Sequence, residues 1–239
     1  MNEHQGEDVP PPALLSGTAA QPESGPPARP GVTFRGILPG LALVGLLEAT
    51  YFLSGPALRH QLAGAWLLWM LALVAVPLVY LLLTRQPLSV LGYRRERAFG
   101  LYMRGVAAGV LWRALGMLGS YYGWWDFLLG SALASGRWWF HVLVTVPFLE
   151  ETFFRGYLQA GLERRLGPWL AILLQALLFA LHPAHVAQGA TAFPAIFTFG
   201  LLAGVLYWRT RSIWIVYGAH GVANLLPEVI RELSRWVYG

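Results

Sequence analysis

The stretch VTVPFLEETFFRGYL, Val144 to Leu158, sets Glu150, Glu151 and Arg155 inside an otherwise apolar run. Its length and flanks read as a helix passing through lipid. A single charge at the centre of such a helix costs about 2.5–3.5 kcal/mol on insertion scales. Three in six residues require compensation. Part is local, because Glu151 and Arg155 are four apart and share a face. Glu150 is rotated about 100° from Glu151 and must face a different neighbour. The two carboxylates therefore divide their duties: Glu151 is paired and ionised, and Glu150 keeps an adjustable proton.

The rest of the chain agrees with a membrane setting. Of 239 residues, 56% are hydrophobic and only 12% charged, half the charged share of an average soluble domain, and mean hydropathy is +0.51. The composition predicts an all-α polytopic membrane protein. No cysteine is present, which excludes disulfides and thiolate metal sites. The net charge of +5 comes with arginines gathered between apolar stretches, a pattern of membrane orientation rather than of nucleic-acid binding.

Residues 1–33, rich in Pro, Gly, Ser and Ala, read as a disordered tail. Residues 34–239 form the transmembrane domain. Apolar stretches at about 34–54, 62–84, 98–120, 137–160, 168–184, 193–209 and 212–231 predict about seven spans, six to eight, since a crossing takes ~20 helical residues. The segment YYGWWDFLLGSALASG, after the third, could form a re-entrant or further span. Arg85, Arg94, Arg95 and Arg97, then Arg164 and Arg165, then Arg209 and Arg211 fall on one side of a seven-span arrangement, together with Arg29 and Arg35. The N-terminus is then cytoplasmic.

Two further segments carry polar groups. LLFALHPAH puts His182 at the end of the fifth span, with His185 three residues later. YGAHGVAN puts His220 and Asn224 on one face of the last span. At ~1.5 Å per residue, Glu150, His182, His220 and Asn224 lie about 20, 21, 12 and 18 Å from the arginine-rich side. Groups from three helices thus share one depth band. The bland alternatives are a structural ion-pair network for the glutamates, interhelical hydrogen bonding for His220 and Asn224, and an interfacial histidine.

These residues resemble the CPBP family of intramembrane proteases, also called the CAAX-protease and bacteriocin-processing or Abi family. Its EExxxR motif is matched by Glu150, Glu151 and Arg155, and its HxxxN motif by His220 and Asn224. For its FxxxH motif, Phe179 stands three residues before His182 and Leu178 stands at the four-residue offset. Either Leu replaces Phe or the histidine has moved, with His185 as the alternative partner. The resemblance covers about residues 85–230, including SVLGYRRER before the third span.

It implies a glutamate-dependent endopeptidase acting on a membrane-bound protein or peptide. Glu150 and His182 activate water, His220 and Asn224 hold the oxyanion, and Glu151 and Arg155 support the helix. No cofactor is expected. If a zinc ion were used, Glu150, His182 and His220 would be its ligands. A bacterial cytoplasmic-membrane location follows from the short core and arginine bias. The alternative function is a non-catalytic immunity or scaffold protein, or a proton-coupled carrier, built from the same intramembrane groups.

Overall fold

The computed structural model describes residues 31–121 and 140–238, and all regular structure among them is helical. The tail to residue 30, the aromatic segment 122–136 and the first residues of the predicted fourth span lie outside the described residues. Helix α1 is Phe34–Leu53, α2 is Pro56–Gly64, α3 is Trp66–Thr84 and α4 is Ala98–Tyr121. A continuous helical run over residues 141–166 is α5, followed by α6, Pro168–Leu181, and the short α7, Pro183–Val186. Helices α8, Phe193–Thr210, and α9, Ile213–Tyr238, complete the bundle.

Helix punctuation explains most of the boundaries. Thr33 Oγ1 accepts from the Gly36 amide at 3.1 Å and opens α1. Gly167, at φ +77°, ends α5, and Pro168 starts α6 in the next position. The predicted second span is divided, with α2 separated from α3. Two helical segments, Phe34–Leu53 and Ala190–Thr210, are long and apolar enough to cross a bilayer, while Leu68–Thr84 and Pro168–Leu181 are apolar but shorter.

Helix α5 lies at the centre. Every residue from Leu149 to Gln159 is buried, so the helix has no lipid-facing side over this length. Phe153 and Tyr157 lie against Gly40 of α1, Phe154 packs on Phe179 of α6 at 5.2 Å, and Gln159 Nε2 donates to the Gly204 carbonyl of α8 at 2.9 Å. Its winding is not uniform. Wide π turns span His141–Thr145 and Thr152–Gln159, on either side of an α-helical piece, Val146–Glu151. Pro147 has no N–H to offer the preceding turn. Tyr217 of α9 donates its hydroxyl to the nearby Val144 carbonyl at 2.8 Å.

The relative directions of the helices can be read from close approaches. On α4, Gly105 lies against the Ile215 carbonyl and Gly109 against Ala219, so α4 and α9 run parallel. A side chain at either glycine would meet backbone, which is how small residues four apart allow membrane helices to touch. Helices α6 and α8 are antiparallel: Gly200 faces Ala176, and Gly204 faces Ile172 and Gln175. Gln175 Nε2 joins them by donating to the Gly200 carbonyl at 2.8 Å.

The outer surface is apolar. Leu46 and Leu53 of α1, Leu82 and Leu83 of α3, Leu111 and Leu115 of α4 and Trp169 of α6 are all more than half exposed. At one end of the bundle Arg94, Arg164 and Arg211 line a cavity of about 490 Å³ together with Gly31, Val32 and Trp208. Arg211 pairs there with Glu163, Nη1 to Oε2, at 2.5 Å.

Candidate active site

Glu151 is fully buried and bound on two sides. Arg155 Nη1 is 3.1 Å from its Oε1, and His220 Nδ1 is 2.6 Å from the same oxygen. The Arg155 guanidinium is also fully buried, 4.3 Å from the centre of the Phe179 ring and 5.9 Å from that of Phe199. Aromatic faces attract such a cation where water is excluded. The expected i,i+4 pair of Glu151 and Arg155 is therefore present, with His220 added to it.

Glu150 faces elsewhere. Its Oε1 lies 3.6 Å from His185 Nε2, and its Oε2 lies 3.6 Å from His220 Nε2. The carboxylate sits between two imidazoles from different elements. Among the described residues no protein group hydrogen-bonds Oε2. The orientation of both rings follows from their other nitrogens. His185 Nδ1 is 2.5 Å from the Phe179 carbonyl, which can only accept. Nδ1 therefore carries the hydrogen, and Nε2 presents a lone pair toward Glu150. The carboxylate of Glu151 similarly directs Nε2 of His220 to the same place.

His182 is placed differently. It is buried, but its Nδ1 accepts from the Ala184 amide at 3.3 Å and caps α7. Its ring packs edge-on against Phe154 at 6.3 Å and lies 5.8 Å from the His185 ring. The cause is Pro183. A residue before proline is excluded from the α region, and His182 has φ −54° and ψ 136°. Helix α6 stops at Leu181, the chain turns back, and α7 carries His185 inward. The histidine beside Glu150 is thus the one three residues after the position that helical spacing favours. Phe179 stays with it, its ring 4.4 Å from the His185 ring.

Asn224 is half-buried, one turn beyond His220 on α9. Several supporting groups carry no motif signal. The Tyr93 hydroxyl donates at 2.5 Å to Thr152 Oγ1, whose own hydrogen goes to the Phe148 carbonyl, and this binds the loop after α3 to α5. Burial pushes the Tyr93 hydroxyl well above its ordinary pKa, so it remains a neutral donor. Gly92, at φ +94°, makes the turn that brings Tyr93 in, and its carbonyl accepts from Ile213 at 3.0 Å. Phe199, 5.0 Å from the His220 ring, closes one wall.

Of the residues offered for zinc, Glu150 and His220 lie together, 3.6 Å apart. His182 turns to the α7 amide, and among the described residues no group of three or more His, Asp or Glu side chains is arranged to hold a metal ion.

No curated protein and no solved structure matches the chain. Residues 132–226 match the family model described as type II CAAX prenyl endopeptidase, Rce1-like. That interval contains Glu150, Glu151, Arg155, His182, His185, His220 and Asn224. This match over part of the chain is consistent with the CPBP or CAAX-protease family of membrane proteases, which its motifs resemble.

Proposed function

We propose that the protein is an intramembrane endopeptidase in which Glu150 activates water for attack on a peptide bond of a membrane-associated substrate. The observation that carries this reading is Glu150 itself: a buried carboxylate between the imidazoles of His185 and His220, with no arginine among the described residues paired to it. The ion-pairing role falls to its neighbour Glu151, which leaves Glu150 available for proton transfer.

In the proposed reaction a water lies between Glu150 and His185 Nε2. Glu150 takes one proton as the water oxygen bonds to the scissile carbonyl carbon. The carbonyl oxygen becomes an oxyanion facing the Asn224 amide and His220. His220 donates from Nε2 only as its cation, and Glu151 against Nδ1 supplies the counter-charge that such a cation needs. The proton held by Glu150 passes to the amide nitrogen, the C–N bond breaks, and an amine and a carboxylic acid leave. Water activation in this scheme uses no metal, so hydrolysis persists in excess chelator.

The seven-span arrangement with a cytoplasmic N-terminus is part of the proposal. It is supported by the parallel course of α4 and α9, the third and seventh spans, and by the antiparallel α6 and α8, the fifth and sixth. The clustering of Arg94, Arg164 and Arg211 at one end of the bundle supports it further. Outward leucines on several helices favour contact with lipid rather than water.

The test compares membranes from cells producing the wild-type chain and the Glu150→Gln variant, read by mass spectrometry for new protein termini. Cleavage products present with wild type and at least about 10²-fold fewer with the variant, at equal abundance in the membrane, are the expected result. Equal product from both would end the assignment of Glu150 as the base.

A further inference from the structure

Helix α9 continues from Ile213 to Tyr238 through Pro227 without a break. Proline has no N–H, so the carbonyl four residues earlier, that of Ala223, loses its intrahelical donor. Ala223 is buried, and a buried carbonyl left unpaired is costly. The missing bond is supplied from another helix: Arg113 of α4 donates Nε to the Ala223 carbonyl at 2.8 Å. Arg113 is itself only 8% exposed. The parallel contact of α4 with α9 brings it there. Gly105 lies against Ile215 and Gly109 against Ala219, and the next turn sets residue 113 against residue 223.

Ala223 lies between His220 and Asn224, so its peptide carbonyl belongs to the turn that presents both side chains. A second connection reaches the same ring. The Arg113 guanidinium lies 5.1 Å from the centre of the Trp112 ring, Trp112 packs on Phe199 at 5.2 Å, and Phe199 contacts His220.

We propose that Arg113 is a positioning residue for the oxyanion-binding part of the site: by bonding the carbonyl that Pro227 leaves without a donor, it fixes the backbone that carries Asn224 and His220. This rests on the function proposed above. Pro227 loosens the helix one turn beyond the site, and Arg113 holds the loosened turn in a single geometry.

The pairing predicts a specific rescue. Arg113→Met removes the donor, whereas Pro227→Ala restores the native amide at position 227 to bond Ala223. The double variant Arg113→Met/Pro227→Ala then no longer needs the arginine. The full-length chain, reconstituted in liposomes, is assayed on a substrate segment identified from the terminus comparison. Arg113→Met is expected to lower kcat at least about 10-fold with KM nearly unchanged, because the oxyanion contact forms only in the transition state. The double variant is expected to return within about 3-fold of Pro227→Ala alone.

Wild-type kcat in Arg113→Met, or a double variant as slow as Arg113→Met, would overturn the proposal. Thermal unfolding in detergent follows the same four proteins and needs no turnover. Arg113→Met should lower the midpoint strongly with proline at 227 and little with alanine there. Equal shifts in the two backgrounds refute the carbonyl bond whatever the outcome of the proteolysis test. Rescue of the midpoint without rescue of kcat refutes the positioning role alone.

Discussion

Arg155→Met tests the electrostatics on which the site depends. Both partners of the Glu151–Arg155 pair are fully buried, at an N···O distance of 3.1 Å. At an effective dielectric of ~20 that separation corresponds to about 5 kcal/mol of gross attraction. Removing one partner leaves the other charge buried, which costs about 3–5 kcal/mol in comparable cases. Methionine fills similar space and accounts for little of the loss. The cation–π contact with Phe179, at 4.3 Å, adds roughly 1 kcal/mol. Glu151→Gln alone leaves the arginine without its charge partner and destabilises as well. The double variant removes both charges, so its loss should fall short of the sum of the singles by about 2–3 kcal/mol. The measurement is a four-protein cycle of equilibrium unfolding in mixed micelles, with helix content as the readout. Additivity within about 0.5 kcal/mol would show that the two charges are not coupled, and the division of labour between Glu150 and Glu151 would lose its basis.

Three further outcomes follow from the same geometry. His185→Ala should reduce turnover about 10²-fold or more while the protein stays folded, whereas His182→Ala should keep turnover within a few-fold and cost about 1 kcal/mol through loss of the α7 cap; the reverse pattern would return His182 to the role of Glu150's partner. Gly109→Leu forces a side chain into the Ala219 backbone and should destabilise by at least about 1–3 kcal/mol, whereas Gly45→Ala, with open space at its Cα, should be neutral or stabilising in the same unfolding assay. Because the chain has no cysteine, single cysteines at the exposed positions Arg95 and His60 report sidedness: a membrane-impermeant maleimide should reach His60→Cys in intact cells and Arg95→Cys only after permeabilisation.

Much of the architecture is legible because apolar length and helix punctuation are local properties. The stretches beginning at 34, 98, 168, 193 and 212 are helices that start within a residue of those positions. Pro168 and the Gly167 before it mark one boundary directly. The break between α2 and α3 is less legible, since the predicted span opens at residue 62, on the last turn of α2, and neither Gly64 nor Ala65 is a strong stop signal. Membrane crossing is a separate property. Helices such as α5 carry buried charge and α6 is short, so hydropathy alone selects only two of the helical segments. The direction of packing is carried by Gly105, Gly109, Gly200 and Gly204, which single-helix periodicity does not reveal.

The site divides along the same physical line. That Glu150 and Glu151 face different sides follows from a 100° rotation: Glu151 takes Arg155 and Glu150 takes His185, while His220 lies between them, with Nδ1 on Glu151 and Nε2 toward Glu150. His185 was obscured because counting along a helix fails once a proline ends it. Depth counted along α6 selects His182, but the pre-proline restriction turns that residue into a cap and passes the inward position to the next histidine. Arg113 was obscured for the opposite reason: its partner is a backbone carbonyl whose need is created by Pro227, more than a hundred residues away. In both cases a proline changes which backbone groups are satisfied, and the polar side chain that responds ends up in or beside the candidate site. Prolines 183 and 227 are therefore as much determinants of this site as the residues of its motifs. They shape where the histidines and the asparagine stand around a carboxylate that α5 buries on every side.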